Sequence, residues 1–251
     1  MAHYDSVKFD SFISKLLKQL DSDVGMTGDS LSELNNIARL SLARLMDYCN
    51  HLLLNSKRKT LSSKQVTTAV KLWFPEEMAK NMIKEAEKSS KRYLSVRKER
   101  LKEAKNLKKG EKLPPMTRAS MARIIFPPTR VENVMKDMSL VQRKTESSSI
   151  VMATILEYII ASILKLSADE AINSKKRRIT PRHITLAIHS DPCWRDFFDD
   201  CILAGGVPVL SDNRLLKSHK RSTHKSSKKE KKEVTEEVKP KASKKSKKSK
   251  K

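Results

Sequence analysis

The sequence predicts an all-α protein made from a duplicated helical unit, followed by a disordered basic tail. Three observations carry this. Apolar residues recur at helical spacing over two long stretches, and glycine and aromatic residues are scarce (5 Gly; 5% Phe, Trp and Tyr). A loop-helix segment also occurs twice: TLSSKQVTTAV at residues 60–70 lies over RITPRHITLAI at 178–188 without a gap. Leu61 matches Ile179, Ser62 matches Thr180, Val66 matches Ile184, Ala69 matches Ala187 and Val70 matches Ile188. Arg58 and Lys59 precede the first copy as Lys176 and Arg177 precede the second.

In chain order, Phe9, Phe12, Ile13, Leu16, Leu17 and Leu20 predict a short helix, ended by the turn DSDVGMTG. Leu31, Leu34, Ala38, Leu42, Leu45, Cys49 and Leu52 predict a long one, with Ser30 and Glu33 as a capping box. A loop with Lys57, Arg58, Lys59 and Thr60 leads into the first repeat copy. Residues 75–100 add a helix peculiar to this half: Pro75 suits its first turn, Glu76 and Glu77 its positive end, and Met78, Met82, Ile83, Ala86, Tyr93 and Leu94 form one face. EAKNLKKGEKLPP, charged and closed by a double proline, reads as a linker.

The second half repeats the order. Val131, Val134, Met135 and Met138 mark the short helix, and the loop SLVQRKTESSS follows. Ile150, Ala153, Leu156, Ile160, Ile163, Leu166 and Ile172 mark the long helix, with cap candidates at Ser147 to Ser149. Ile159, Leu164 and Ala168 widen its stripe, so this helix must be packed on two sides. The loop Lys175, Lys176, Arg177 and Arg178 comes next; Thr180 is a good N-cap and Pro181 fits the first turn beyond it. Three helices this thin cannot close a core alone, so the second copy completes it. The expected divisions are 1–102, a linker at 103–117, 118–216, and a tail at 217–251.

The net charge of +24 points to a polyanionic partner. Half of it lies in Lys217 to Lys251, where fifteen Lys and one Arg face four Glu. Such a lysine-serine run cannot bury apolar surface. It reads either as a solubility or localisation signal or as an arm that releases counterions from nucleic acid. The N-terminus is polar, and no apolar run approaches the roughly 20 residues of a membrane span. Three cysteines, Cys49, Cys193 and Cys201, lack metal-ligand spacing and read as reduced core or surface thiols. No HExxH, phosphate-binding glycine loop or GxSxG elbow occurs. The expectation is a protein that is not an enzyme, with no metal, cofactor, membrane or small-molecule substrate.

Cations ahead of a helix start sit near the positive end of its dipole, where backbone N–H groups favour phosphates. For Arg177 and Arg178 the readings are a phosphate-binding loop or a solvated one. For His183 the expectation is capping or packing.

The residues resemble the core histone family. KRKTLSSKQVTTAVKLWFPEEMAK is similar to the basic loop, third helix and extra helix of the 2B-type histone. FPPTRV, ILEYIIASILKL, KKRRITPRHITLAI and AGGVPVL are similar to stretches of the 2A type. Their order in one chain resembles the fused histone doublets of large DNA viruses, notably the marseillevirus group.

The resemblance implies two histone folds crossing in a handshake, each second loop beside the partner's first loop. It implies wrapping of double-stranded DNA with a histone-3/histone-4-like tetramer or doublet, two copies of this chain per nucleosome-like particle. Histone octamers hold DNA through arginines in the inward-facing minor groove, without base readout. Arg178, Arg143 and Arg130 match motif positions that contact DNA, with Lys57, Arg58, Lys59 and Thr60 in the comparable first-half loop and Lys175, Lys176, Arg177 and Thr180 beside Arg178. Glu77, Glu85, Glu157 and Asp191 keep positions of the family's acidic patch, whereas Ser162, Lys165, Pro192 and Cys193 replace acids. Gly205, Gly206, Val207 and Pro208 resemble the segment that docks onto the tetramer. The expected location is chromatin, and for a viral chain the virion and the viral factory or host nucleus. A histone-fold transcription regulator subunit is the alternative function, and a basic RNA-binding helical protein a third; the basic segments lack stacking aromatics for the latter.

Overall fold

The computed structural model describes residues 7–106, 113–141 and 143–198. The first half runs α1 (Asp10–Leu20), β1 (Gly25–Met26), α2 (Gly28–Ser56), β2 (Thr60–Leu61), α3 (Ser63–Trp73) and α4 (Glu76–Asn106). The second runs α5 (Arg118–Ala122), α6 (Pro128–Met138), β3 (Arg143–Lys144), α7 (Glu146–Asn173), β4 (Arg178–Ile179), α8 (Pro181–Ser190) and α9 (Pro192–Phe198). The two-residue strands join the halves. β1 pairs in parallel with β4, and β2 with β3. Each half's second loop therefore lies beside the other half's first loop, the handshake arrangement.

The core is one cluster drawn from both halves. α7 is its centre: its buried residues, from Ser148 to Ala171, face several directions, and it packs against α4, α8, α6, α3, α2 and α1. By length and composition α7 could cross a membrane, with mean hydropathy 1.8 over its most apolar stretch, which corrects the expectation that no apolar run nears span length. Because 67% of that stretch is buried inside the fold, its hydropathy serves the core.

Several boundaries differ from expectation. α2 starts at Gly28, capped by Thr27, whose side chain accepts the N–H of Ser30; Ser30 and Glu33 lie inside the helix and are buried, so they are not its capping box. The Ser30 hydroxyl instead donates to Ile179 O across the halves (2.8 Å). α7 likewise starts one residue after Thr145, ahead of the serines expected to cap it. α4 continues to Asn106, past the expected helix end at 100. Leu20, Leu94 and Ile172 belong to apolar stripes by spacing but are exposed, since each lies near a helix end or beyond its packed part. Cys49 is a free core thiol, pushed up to about 12 by burial, and Cys193 is a free surface thiol. Cys201, the docking segment and the tail lie outside the described residues.

Candidate nucleic-acid interface

The paired loops form two basic edges. At the first, α7 gives way to a left-handed Lys175 (φ 55°), and the N–H groups of Lys175 and Lys176 donate to Ile172 O and Ala171 O (both 2.8 Å). That turn leaves Lys175, Lys176, Arg177 and Arg178 exposed. The Arg178 backbone is fixed by its neighbours: Gly25 N donates to Arg177 O (2.8 Å) and Thr27 N to Ile179 O (3.1 Å). Opposite Arg178 stands Gly25, where an added Cβ would lie 3.5 Å from Arg178 Cγ, so the arginine stem runs over the glycine. Lys176 and Arg177 also border a cleft whose other wall carries Asp21 and Asp23.

The second edge follows the same plan. α2 ends at a left-handed Lys57 (φ 51°), and Arg58 N donates to Leu53 O (3.3 Å). Thr60 pairs with Arg143 and Leu61 with Lys144, and Thr145 N donates to Leu61 O (3.0 Å). Lys57, Arg58, Lys59 and Arg143 are exposed and Thr60 is half-buried. Lys144, which sequence reasoning passed over, is half-buried. Its Nζ donates to Glu132 O (3.3 Å), and burial together with Lys136 lowers its pKa.

Each edge immediately precedes two helix starts, α2 and α8 at the first and α3 and α7 at the second. Positive helix ends thus converge where the cations are exposed, an arrangement that an anion stabilises. Among the described residues, no ion pair joins Lys57, Arg58, Lys59, Arg143, Lys175, Lys176, Arg177 or Arg178 to a carboxylate.

Other expected site residues have local duties. Arg130 donates to Lys8 O (2.6 Å) and lies over the Phe12 ring (5.1 Å to its centre), tying α6 to α1. Thr180 caps α8 in a box with His183, whose Nδ1 accepts the Thr180 N–H (3.2 Å). His183 is therefore a capping residue, and burial lowers its pKa. One oxygen of Glu157 accepts the N–H groups of Ile125 (2.7 Å) and Phe126 (2.9 Å), and burial raises its pKa. Through this oxygen Glu157, itself half-buried, holds the segment entering α6. Glu85 pairs with Lys88 (3.3 Å), whereas Glu77 is exposed. Asp191 accepts the Cys193 N–H (2.8 Å) at the start of α9. Partial desolvation and then Asp191, Asp196 and Glu77 raise the Cys193 thiol pKa. Ser162 turns its hydroxyl back to Tyr158 O (2.9 Å) and Lys165 is exposed.

The sequence reading also did not assign the aromatic cluster in which Trp73 and Phe74 meet Trp194 and Phe197. The available signal was a tryptophan-phenylalanine pair at the α3–α4 junction and a second such pair within α9.

Two-residue strands paired between the halves, two long helices packed in one shared core and basic helix-start edges together define a histone-fold pair in one chain. The chain belongs to the core histone family: the family described as "Core histone H2A/H2B/H3/H4 domain" matches residues 3–72 and 102–190, one match per half. It is similar to a "Histone doublet H2B-H2A" of Melbournevirus, 29% identical over 223 residues, covering 88% of this chain and 77% of that protein. It is also similar to "Histone H2B.v1" of Dictyostelium discoideum, 26% identical over 211 residues, covering 78% of this chain and 87% of that one. "Histone H2A" of Agaricus bisporus is 36% identical over 110 residues, covering 43% of this chain and 79% of that one. Membership makes this a structural chromatin protein, with DNA and other histones as its class of partners.

Proposed function

We propose that this chain wraps double-stranded DNA without sequence specificity, as a covalent pair of 2B-like and 2A-like histones. Two copies join a histone-3/histone-4-like tetramer or doublet in a nucleosome-like particle that packages a viral genome, in the virion and in the viral factory or host nucleus. The observation that carries this reading is that each paired edge offers one exposed arginine within its strand pair, Arg178 or Arg143, above two converging helix starts. Such contacts address backbone and groove shape rather than base edges. The likeness to a viral doublet supports the packaging role. Lys57, Arg58, Lys59, Thr60, Lys175, Lys176 and Arg177 flank the arginines, and Gly205, Gly206, Val207 and Pro208 are the proposed docking segment.

The docking of basic peptides is weakened in this particle. Ser162 and Lys165 stand where the family pattern has acids, and one oxygen of Glu157 is occupied by two backbone N–H groups. A bidentate arginine grip needs available carboxylates.

Nuclease digestion of the full chain on random DNA, with and without a tetramer-forming histone pair, tests the proposal. A protected fragment of uniform length that requires both components is expected. Protection confined to one defined sequence would favour a regulatory protein instead.

A further inference from the structure

α4 carries a feature that the paired edges do not use. Lys84, Lys91, Lys98, Lys102 and Lys105 follow one another at spacings of seven, seven, four and three residues. On a helix they share one face, opposite the buried Met82, Ala86 and Tyr93. Beyond Tyr93 no side chain of α4 is buried, yet the helix continues to Asn106, about 20 Å further at 1.5 Å per residue. These last turns gain little from packing, and Lys98 and Lys102 repel each other across one turn. Among the described residues, Lys84, Lys98, Lys102 and Lys105 have no carboxylate partner, while Lys91 approaches Glu87 at 4.0 Å.

The root of this extension is anchored beside the second edge. Arg97 forms an ion pair with Glu146, and the Tyr93 hydroxyl donates to the same carboxylate (3.0 Å). Glu146 is the first residue of α7, three positions after Arg143. The Arg100 guanidinium donates to Pro114 O, bracing the helix against the segment that enters α5. Two of the cations on the extension are thus spent on holding it, and the lysine face is left outward.

We propose that the lysine face of α4 is a second duplex-binding surface, an extension of the β2·β3 edge that binds DNA phosphates beyond the loop contacts. The inference rests on the DNA-binding reading above. A phosphate backbone relieves the repulsion along the stripe and has the one-dimensional shape of a straight helix face. Lysines suffice there, because each acts as a point charge on phosphate and no base is read.

The test uses the full chain and a random-sequence duplex, with affinity followed by fluorescence anisotropy across a salt series. The variants are the triple Lys98→Gln, Lys102→Gln, Lys105→Gln, its Lys→Arg counterpart, and the pair Arg143→Ala, Arg178→Ala. Gln keeps helix propensity, and circular dichroism confirms that each variant is folded. At about 0.9 per lost phosphate contact, the triple Gln variant should lower the slope of log affinity against log salt by about 2–3, and the Arg variant should keep it. An unchanged slope in the Gln variant, with the loop pair still lowering it, would overturn the stripe and leave the histone reading standing. If the loop pair also left the slope unchanged, the DNA-binding reading itself would fail. Binding of a poly-glutamate peptide to the stripe, with the DNA slope unaffected, would overturn the choice of partner.

Discussion

The two basic edges share a plan and differ in which loop supplies the arginine. At β1·β4 the arginine comes from a second loop, as Arg178, and faces Gly25. At β2·β3 it comes from a first loop, as Arg143, and faces Thr60. The repeat aligns Thr60 with Arg178, so the two halves are unequal in sequence, yet pairing restores one arginine opposite one small residue at each edge. What the two halves have in common is thus the edge rather than the loop.

The largest expected effects break the edges from beneath. Leu61 and Ile179 occupy matched positions and are fully buried. Truncation of either to Ala should cost about 2–5 kcal/mol in denaturant unfolding, similar at the two edges. A large cost at one alone would break the equivalence.

Next comes Glu157, which belongs to the second half alone. Glu157→Ala leaves two part-buried N–H groups without their acceptor and should cost about 1–3 kcal/mol for each that stays dry. Glu157→Gln keeps an acceptor oxygen and should cost much less. Because the folded carboxyl titrates above its ordinary 4.5, the fold favours the protonated form. Stability should fall as pH rises from 4.5 through the folded value, then level off, and Glu157→Gln should abolish that fall.

A smaller difference separates the caps of α3 and α8. Ser62 N donates to Gln65 Oε1 (3.0 Å), whereas Thr180 N donates to His183 Nδ1, so only the second box contains a titrating partner. His183 titrates below its ordinary 6.5. Stability is therefore fully present above 6.5 and falls as pH drops from 6.5 through the folded value, where His183 protonates and gives up the Thr180 N–H; His183→Gln should remove that fall. Thermal unfolding between neutral and mildly acidic pH reads this directly.

The smallest expected change is at Gly25. An added Cβ meets only atoms at 3.5 Å or more, ordinary contact distances. Gly25→Ala should change stability by less than about 0.5 kcal/mol and leave the salt slope of DNA binding unaltered. A large loss would show that the arginine requires bare backbone beneath it.

What the sequence made legible follows from local physics. The 3.6-residue period exposed both long helices, and the repeat identified the two second loops. The Thr180-Pro181 start was readable because its side chains satisfy backbone groups a few residues away. Pairing of each second loop with the other half's first loop came from family resemblance, since two-residue strands leave no alternating pattern to read. The caps were misplaced because Thr27 and Thr145 stand before residues that also look like caps, and only the cross-half bond of Ser30 to Ile179 O explains why that serine is buried. Arg130 and Glu157 were assigned by their family positions. Their partners, Lys8 O and the N–H groups of Ile125 and Phe126, are distant in sequence and left no local trace.

On the proposed reading, each edge grips the duplex separately through its own strand-paired arginine. Hydroxyl-radical footprinting of particles assembled from the full chain and a tetramer-forming histone pair tests it most directly, comparing Arg143→Ala with Arg178→Ala. The expected result is loss of protection at two different positions along the DNA, one for each variant, on any sequence. Loss at the same position in both variants, or no loss in either, would contradict it.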